Sequence, residues 1–156
     1  MNEKSEDIKK DLIGHFVYQV NMMRRCFYRA MKSSFFTPDQ NSVDEDLMVA
    51  FLVHIRVFYY FFFGSNNKDE AYARDYILDW KIENPEMKRW CQQINSYLSH
   101  LDYERAKGER GYKPYQILKL YTYFRTLLID FTDRLPKEFI TPELAKQSEI
   151  LKKEIG

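Results

Sequence analysis

Apolar residues recur every three or four positions from the start of the chain. Ile8, Leu12, Phe16, Val20, Met23, Phe27 and Met31 form one stripe, which predicts a helix with one buried face over 5–32. The period breaks from Ser33 to Ser42, where Thr37-Pro38-Asp39 and Asn41 are turn formers. Ser42-Val43-Asp44-Glu45 is spelled as a capping box and opens a second helix over 44–63. Its stretch Leu47–Phe63 is apolar except for His54 and Arg56, and Gly64 closes it. Tyr72, Ala73, Tyr76, Ile77 and Trp80 predict a short third helix over 70–81. Asn84-Pro85-Glu86 supplies a cap, a first-turn proline and an acid beside the positive end of the dipole. The helix that follows, 85–107, carries Met87, Trp90, Cys91, Ile94, Leu98 and Leu101 on one face. Two more are predicted over 114–135, from Pro114, and over 142–155, from Thr141-Pro142-Glu143. No window alternates with period two for long enough to argue a strand.

Amphipathic helices joined by short loops pack as bundles. The expected fold is therefore all-α, an antiparallel four-to-six-helix bundle forming one domain over 1–156, with the nearly all-apolar helix 44–63 at its centre. The seventeen residues Leu47–Phe63 fall short of the roughly 20 a bilayer span needs, and a mid-span Arg56 costs about 2.5–3.5 kcal/mol. A core helix is expected there, with no membrane span.

Composition sharpens this picture. Hydrophobic residues make up 45% and charged residues 30%, which excludes a chain too polar to fill a core. Aromatics reach 17%, an excess for so small a protein. It argues for a homodimer, with Phe58 to Phe63 as the candidate covered surface. The first ten residues lack the basic and apolar regions of a signal peptide. The two cysteines, Cys26 and Cys91, offer neither a disulfide framework nor zinc spacing. A cytoplasmic protein without metal or cofactor is expected.

The formal net charge is +1, so affinity for nucleic acid has to come from local patches. Leu12 to Pro38 contains Arg24, Arg25, Arg29 and Lys32 and no acid, with Arg25, Arg29 and Lys32 at i, i+4 and i+7. Arg105 to Lys119 sets Arg105, Lys107, Arg110, Lys113 and Lys119 against Glu109 alone. Arg25, Arg29, Lys32, Arg110 and Lys113 are candidate RNA contacts, with Tyr28 and Tyr112 available for stacking. The alternative is a pair of solvated faces whose acids lie on neighbouring helices.

Gly-x-Ser-x-Gly, phosphate-loop and Gly-x-Gly-x-x-Gly patterns are all missing from the sequence. His15, His54 and His100 lie on three different predicted helices without the Glu-x-x-His spelling of bundle metal sites. Separate hydrogen-bonded histidines are expected rather than a cluster. The densest chemistry is in Asn95–Arg105, which gathers Asn95, Ser99, His100, Asp102, Glu104 and Arg105. His100 and Glu104 are one turn apart, so the carboxylate can orient the imidazole for general acid or base work.

Asn95 to His100 resembles the polar-x4-6-His motif of the HEPN superfamily. Together with Phe51-Leu52-Val53-His54-Ile55-Arg56 and His100-Leu101-Asp102-Tyr103-Glu104-Arg105, it is similar to an uncharacterised family of small bacterial helical proteins. The similarity covers 44–105. It implies a small, often dimeric bundle acting as a metal-independent ribonuclease of toxin or defence type. His100, Asn95 and Arg56 would be the catalytic group, supported by Asp102, Glu104 and Arg105. The superfamily's motif usually begins with Arg. Here a neutral Asn95 can hydrogen-bond a phosphate without neutralising it, and Arg56 is the candidate source of charge. The alternative expectation is a non-enzymatic dimeric bundle that binds a partner protein, or a small apolar ligand between helices 44–63 and 114–135.

Overall fold

The computed structural model describes residues 5–34, 44–64, 70–99 and 114–154. Five α-helices are described: α1 (Glu6–Ser34), α2 (Glu45–Phe63), α3 (Pro85–Ser99), α4 (Pro114–Arg134) and α5 (Pro142–Lys153). The class is all-α, and no strand occurs among the described residues. Side-chain caps mark the starts, but α2 is not opened by the expected Ser42–Glu45 box: its N-cap is Asp44, and Glu45 is the first helical residue, where the box needs it as the third. Asp44 accepts from the Leu47 N–H at 3.0 Å, Asn84 from Met87 at 3.1 Å and Thr141 from Leu144 at 3.1 Å. The segment expected to extend α3 to 107 lies outside the described residues.

α1 packs chiefly on α2 and also meets α4 and α5, while α2 touches α3 and α4 as well. The core between them is ring-rich. Phe131 of α4 lies 5.2 Å from Phe16, 5.1 Å from Phe61 and 5.6 Å from Trp80, centre to centre. Phe61 and Trp80 meet it edge-to-face and Phe16 is tilted; edge-to-face pairs add about 0.5–1.5 kcal/mol beyond area burial. Farther along α1, Phe27 stacks on Tyr121 of α4 at 3.8 Å.

The helix expected over 70–81 does not form. Its only regular element is a single 3-10 turn, Ala73–Asp75. The Asp75 carboxylate accepts from the Tyr72 N–H at 2.9 Å, a local bond that competes with helix propagation. Tyr76 then donates to the Lys9 carbonyl at 3.1 Å and Trp80 to the Phe62 carbonyl at 3.3 Å. The segment is a strap pinned to α1 and α2 by its own side chains. Tyr72, Ala73, Tyr76, Ile77 and Trp80 are all buried, so the apolar spacing marked burial and not helix. Gly64 lets this strap approach: a Cβ there would meet the Tyr60 carbonyl and, at 2.5 Å, the Tyr72 ring.

α2 is central in its contacts but not enclosed. Met48, Phe51, Leu52, Ile55, Phe58 and Phe62 face the core, while Val53, Arg56, Val57 and Tyr60 are exposed. Phe58 and Phe62, expected under a second copy of the chain, are covered from within the protein. By length and composition alone α2 could cross a membrane, and a third of its apolar window is buried against the rest of the protein.

Candidate functional site

Two places gather polar chemistry. The first lies between α2 and α3. Tyr60 and Arg56 are one turn apart on the outer side of α2, and the guanidinium carbon sits 5.8 Å from the Tyr60 ring centre, within reach of a cation–π attraction. From α3, the Asn95 Nδ2 donates to the Tyr60 hydroxyl at 3.1 Å. Arg56 and Asn95, picked out in separate helices, thus converge on one ring. Asn95 Oδ1 is buried and has no partner among the described residues, an acceptor whose hydrogen-bonding capacity is unused. Beside this group a cleft of about 820 Å³ opens, lined by Tyr59, Tyr60, Glu70, Tyr72, Asn84 and Lys88 among others. His100, Asp102, Glu104 and Arg105 lie outside the described residues.

The second place is on α1. Arg25, Arg29 and Lys32 are exposed, and none has a carboxylate partner among the described residues. Arg24 differs. It reaches across to α5, donating from Nε to Glu154 Oε1 at 2.8 Å, from Nη2 to the same oxygen, and from Nη1 to Gln147 Oε1 at 3.3 Å. Burial opposes the Arg24 charge, but the bond and field of Glu154 prevail and raise its pKa. The Tyr121 hydroxyl donates to the other Glu154 oxygen; burial, then that carboxylate, push its pKa upward. An acid at the end of α5 therefore accounts for Arg24, and among the described residues the rest of the stripe has no carboxylate partner. Arg110 and Lys113, the candidate contacts of the other patch, lie outside the described residues.

Sequence reading missed Glu154, Tyr121 and Gln147, which lie about a hundred or more residues from Arg24. One signal was present: an acid in the last turn of α5 faces the negative end of the helix dipole, so it needs a cation from elsewhere.

The remaining candidates stand apart. His54 Nδ1 is 2.6 Å from Gln19 Oε1, and burial lowers its pKa. His15 is exposed and lines an apolar groove of about 350 Å³ between α1 and α2, with Leu12, Phe16, Val57 and Phe61. Cys26 and Cys91 are free and buried, and burial pushes the Cys91 thiol up to about 12. Among the described residues no three His, Cys, Asp or Glu side chains are grouped to hold a metal ion. Set beside protein-family models, curated proteins and solved structures, the chain matches none of them.

Proposed function

We propose that this chain is a HEPN-like RNA-binding protein that cleaves RNA without a metal ion. The observation that carries the reading is the meeting of Arg56 and Asn95, from different helices, at the exposed Tyr60. A guanidinium and an amide on one surface suit a phosphodiester: the first contributes permanent charge and the second directional hydrogen bonds. In this scheme His100 takes the proton from the ribose 2′-hydroxyl, whose oxygen attacks phosphorus. The bond from phosphorus to the 5′-oxygen breaks and that oxygen takes a proton from water, giving a 2′,3′-cyclic phosphate and a 5′-hydroxyl, while His100 returns its proton to solvent. Arg25, Arg29 and Lys32 hold the flanking backbone.

The test is incubation of wild type and His100→Ala with total RNA in EDTA, read on a denaturing gel. Loss of intact RNA with wild type alone is expected. Equal cleavage by His100→Ala would end the assignment of His100, and no cleavage by either protein would end the enzymatic reading.

The exposed stripe Val53, Val57 and Tyr60 on α2 favours a second reading, a non-enzymatic helical protein that docks a partner or a second copy through this face. Light scattering of wild type and Val57→Glu tests this face: a dimer that Val57→Glu dissociates supports docking through it, and a monomeric wild type excludes self-association.

A further inference from the structure

The Glu154 carboxylate occupies a place built for an anion. Its two oxygens are taken by the Arg24 guanidinium from one side and the Tyr121 hydroxyl from another. Both charged side chains are largely removed from water, at 17% exposed for Arg24 and 11% for Glu154. The cleft beside them, about 240 Å³, is lined by Arg24, Arg25, Tyr28 and Arg29. Among the described residues Glu154 is the one carboxylate bonded in this neighbourhood of three guanidinium groups, and neither Arg25 nor Arg29 has a carboxylate partner there.

A phosphate diester presents the same pair of anionic oxygens to a guanidinium fork as a carboxylate does. Glu154 is also a poor permanent resident. It is the C-cap of α5, where an acid meets the negative end of the helix dipole. Its side chain can rotate outward without lifting the helix. The separate Arg125–Leu151 carbonyl bond at 2.6 Å and the burial of Leu144 and Leu151 hold α5 in place.

We infer that Arg24, Tyr121 and the adjoining Arg25 and Arg29 form a phosphate site for the RNA backbone, and that Glu154 is its internal competitor, displaced when RNA binds. The inference rests on the RNA reading above and adds an affinity control built into the chain. Removing the competitor exposes one more cation to the ligand, so RNA affinity rises and depends more steeply on salt.

The experiment is fluorescence anisotropy of a labelled 20-nucleotide single-stranded RNA against wild type, Glu154→Gln, Glu154→Gln/Arg24→Met and Arg29→Gln. Circular dichroism checks the fold of each variant. Glu154→Gln is expected to tighten binding about tenfold and steepen the salt slope by about 0.7, the value of one phosphate contact on a single strand. Adding Arg24→Met abolishes the gain. Arg29→Gln, at an exposed position outside the clamp, weakens binding about three- to tenfold and reads the same cleft should Glu154→Gln fail to fold. Wild type that binds RNA with Glu154→Gln folded but no tighter overturns the competitor and leaves the RNA reading standing. Unchanged binding by Arg29→Gln removes the cleft from the RNA path. If neither wild type nor Glu154→Gln binds RNA, the RNA reading falls, and a thermal shift with inorganic tripolyphosphate then decides the site. A larger rise in Tm for Glu154→Gln than for wild type keeps an anion site closed by Glu154, and an equal or absent rise removes it.

Discussion

In its first half, up to Val20, α1 buries Ile13, Phe16 and Val17 against rings from α2 and α4. In its second half the core stripe continues through Met23, Phe27 and Ala30, but the neighbouring positions reach for charge, with Arg24 clamped to Glu154 and Arg25 and Arg29 left open to solvent. The two halves are fastened to their partners differently. Ring packing fills a close-packed interior in which even a small loss of volume is felt. A charged clamp depends on two side chains reaching one geometry, and its net worth is the attraction less the desolvation of both ions. The first half is therefore held by packing, whereas the second adds a charged clamp and an exposed basic surface to its core stripe.

The sharpest way to break this contrast is at the centre of the ring cluster. Phe131→Ala removes contacts with Phe16, Phe61 and Trp80 at once. It should lower stability by about 3–5 kcal/mol in urea unfolding; a loss under about 1 kcal/mol would mean the rings are not what holds α1 and α4 together. At the other half, Arg24→Met removes three hydrogen bonds and leaves Glu154 half-sheltered beside Tyr121. The expected loss is about 2–3 kcal/mol, largely suppressed in Arg24→Met/Glu154→Gln, and a double-mutant cycle checks the coupling.

Between the halves lies the Gln19–His54 contact. Burial depresses the His54 pKa below its ordinary 6.5, so the unfolded chain takes up the proton first as the solution is acidified. Stability is then full above pH 6.5 and falls as pH drops through the folded-state value. Unfolding followed from pH 7.5 to 5 should show that decline, flattened in His54→Gln. The smallest effect is expected at Gly14, exposed in mid-helix, where an added Cβ meets nothing within 4 Å. Gly14→Ala should stabilise the protein by up to about 1 kcal/mol, seen as a higher urea midpoint with unchanged slope.

Most helices were legible because long amphipathic stripes agree with start signals such as Asn84 and Thr141, whereas α2 is capped by Asp44 and not by the Ser42–Glu45 box. The 70–81 segment was not, because Tyr72, Tyr76 and Trp80 carry helical spacing for a different reason: an irregular strap buries them, with Tyr76 and Trp80 both against Phe131. Their backbone is organised by Asp75 and by bonds to Lys9 and Phe62. Of the candidate site, Arg56 and Asn95 were legible as unusual residues in apolar helices. Tyr60, which joins them, lay in the aromatic stretch Phe58 to Phe63 expected under a second copy of the chain. The Arg24–Glu154 clamp was out of reach because helix periodicity carries no information on which distant turn will face a given side chain.

The position of Phe131 also bears on biogenesis. Phe62 and Trp80 leave the ribosome first, and the ring that covers them follows about fifty to seventy residues later, a delay of roughly 3–14 s at ordinary elongation rates. During that interval the apolar inner face of α2 has α1 and the strap for shelter but lacks its lid. A stalled or truncated chain ending before α4 is therefore the species that cellular quality control meets, and slowing translation after α3 should draw more of the nascent protein to chaperones.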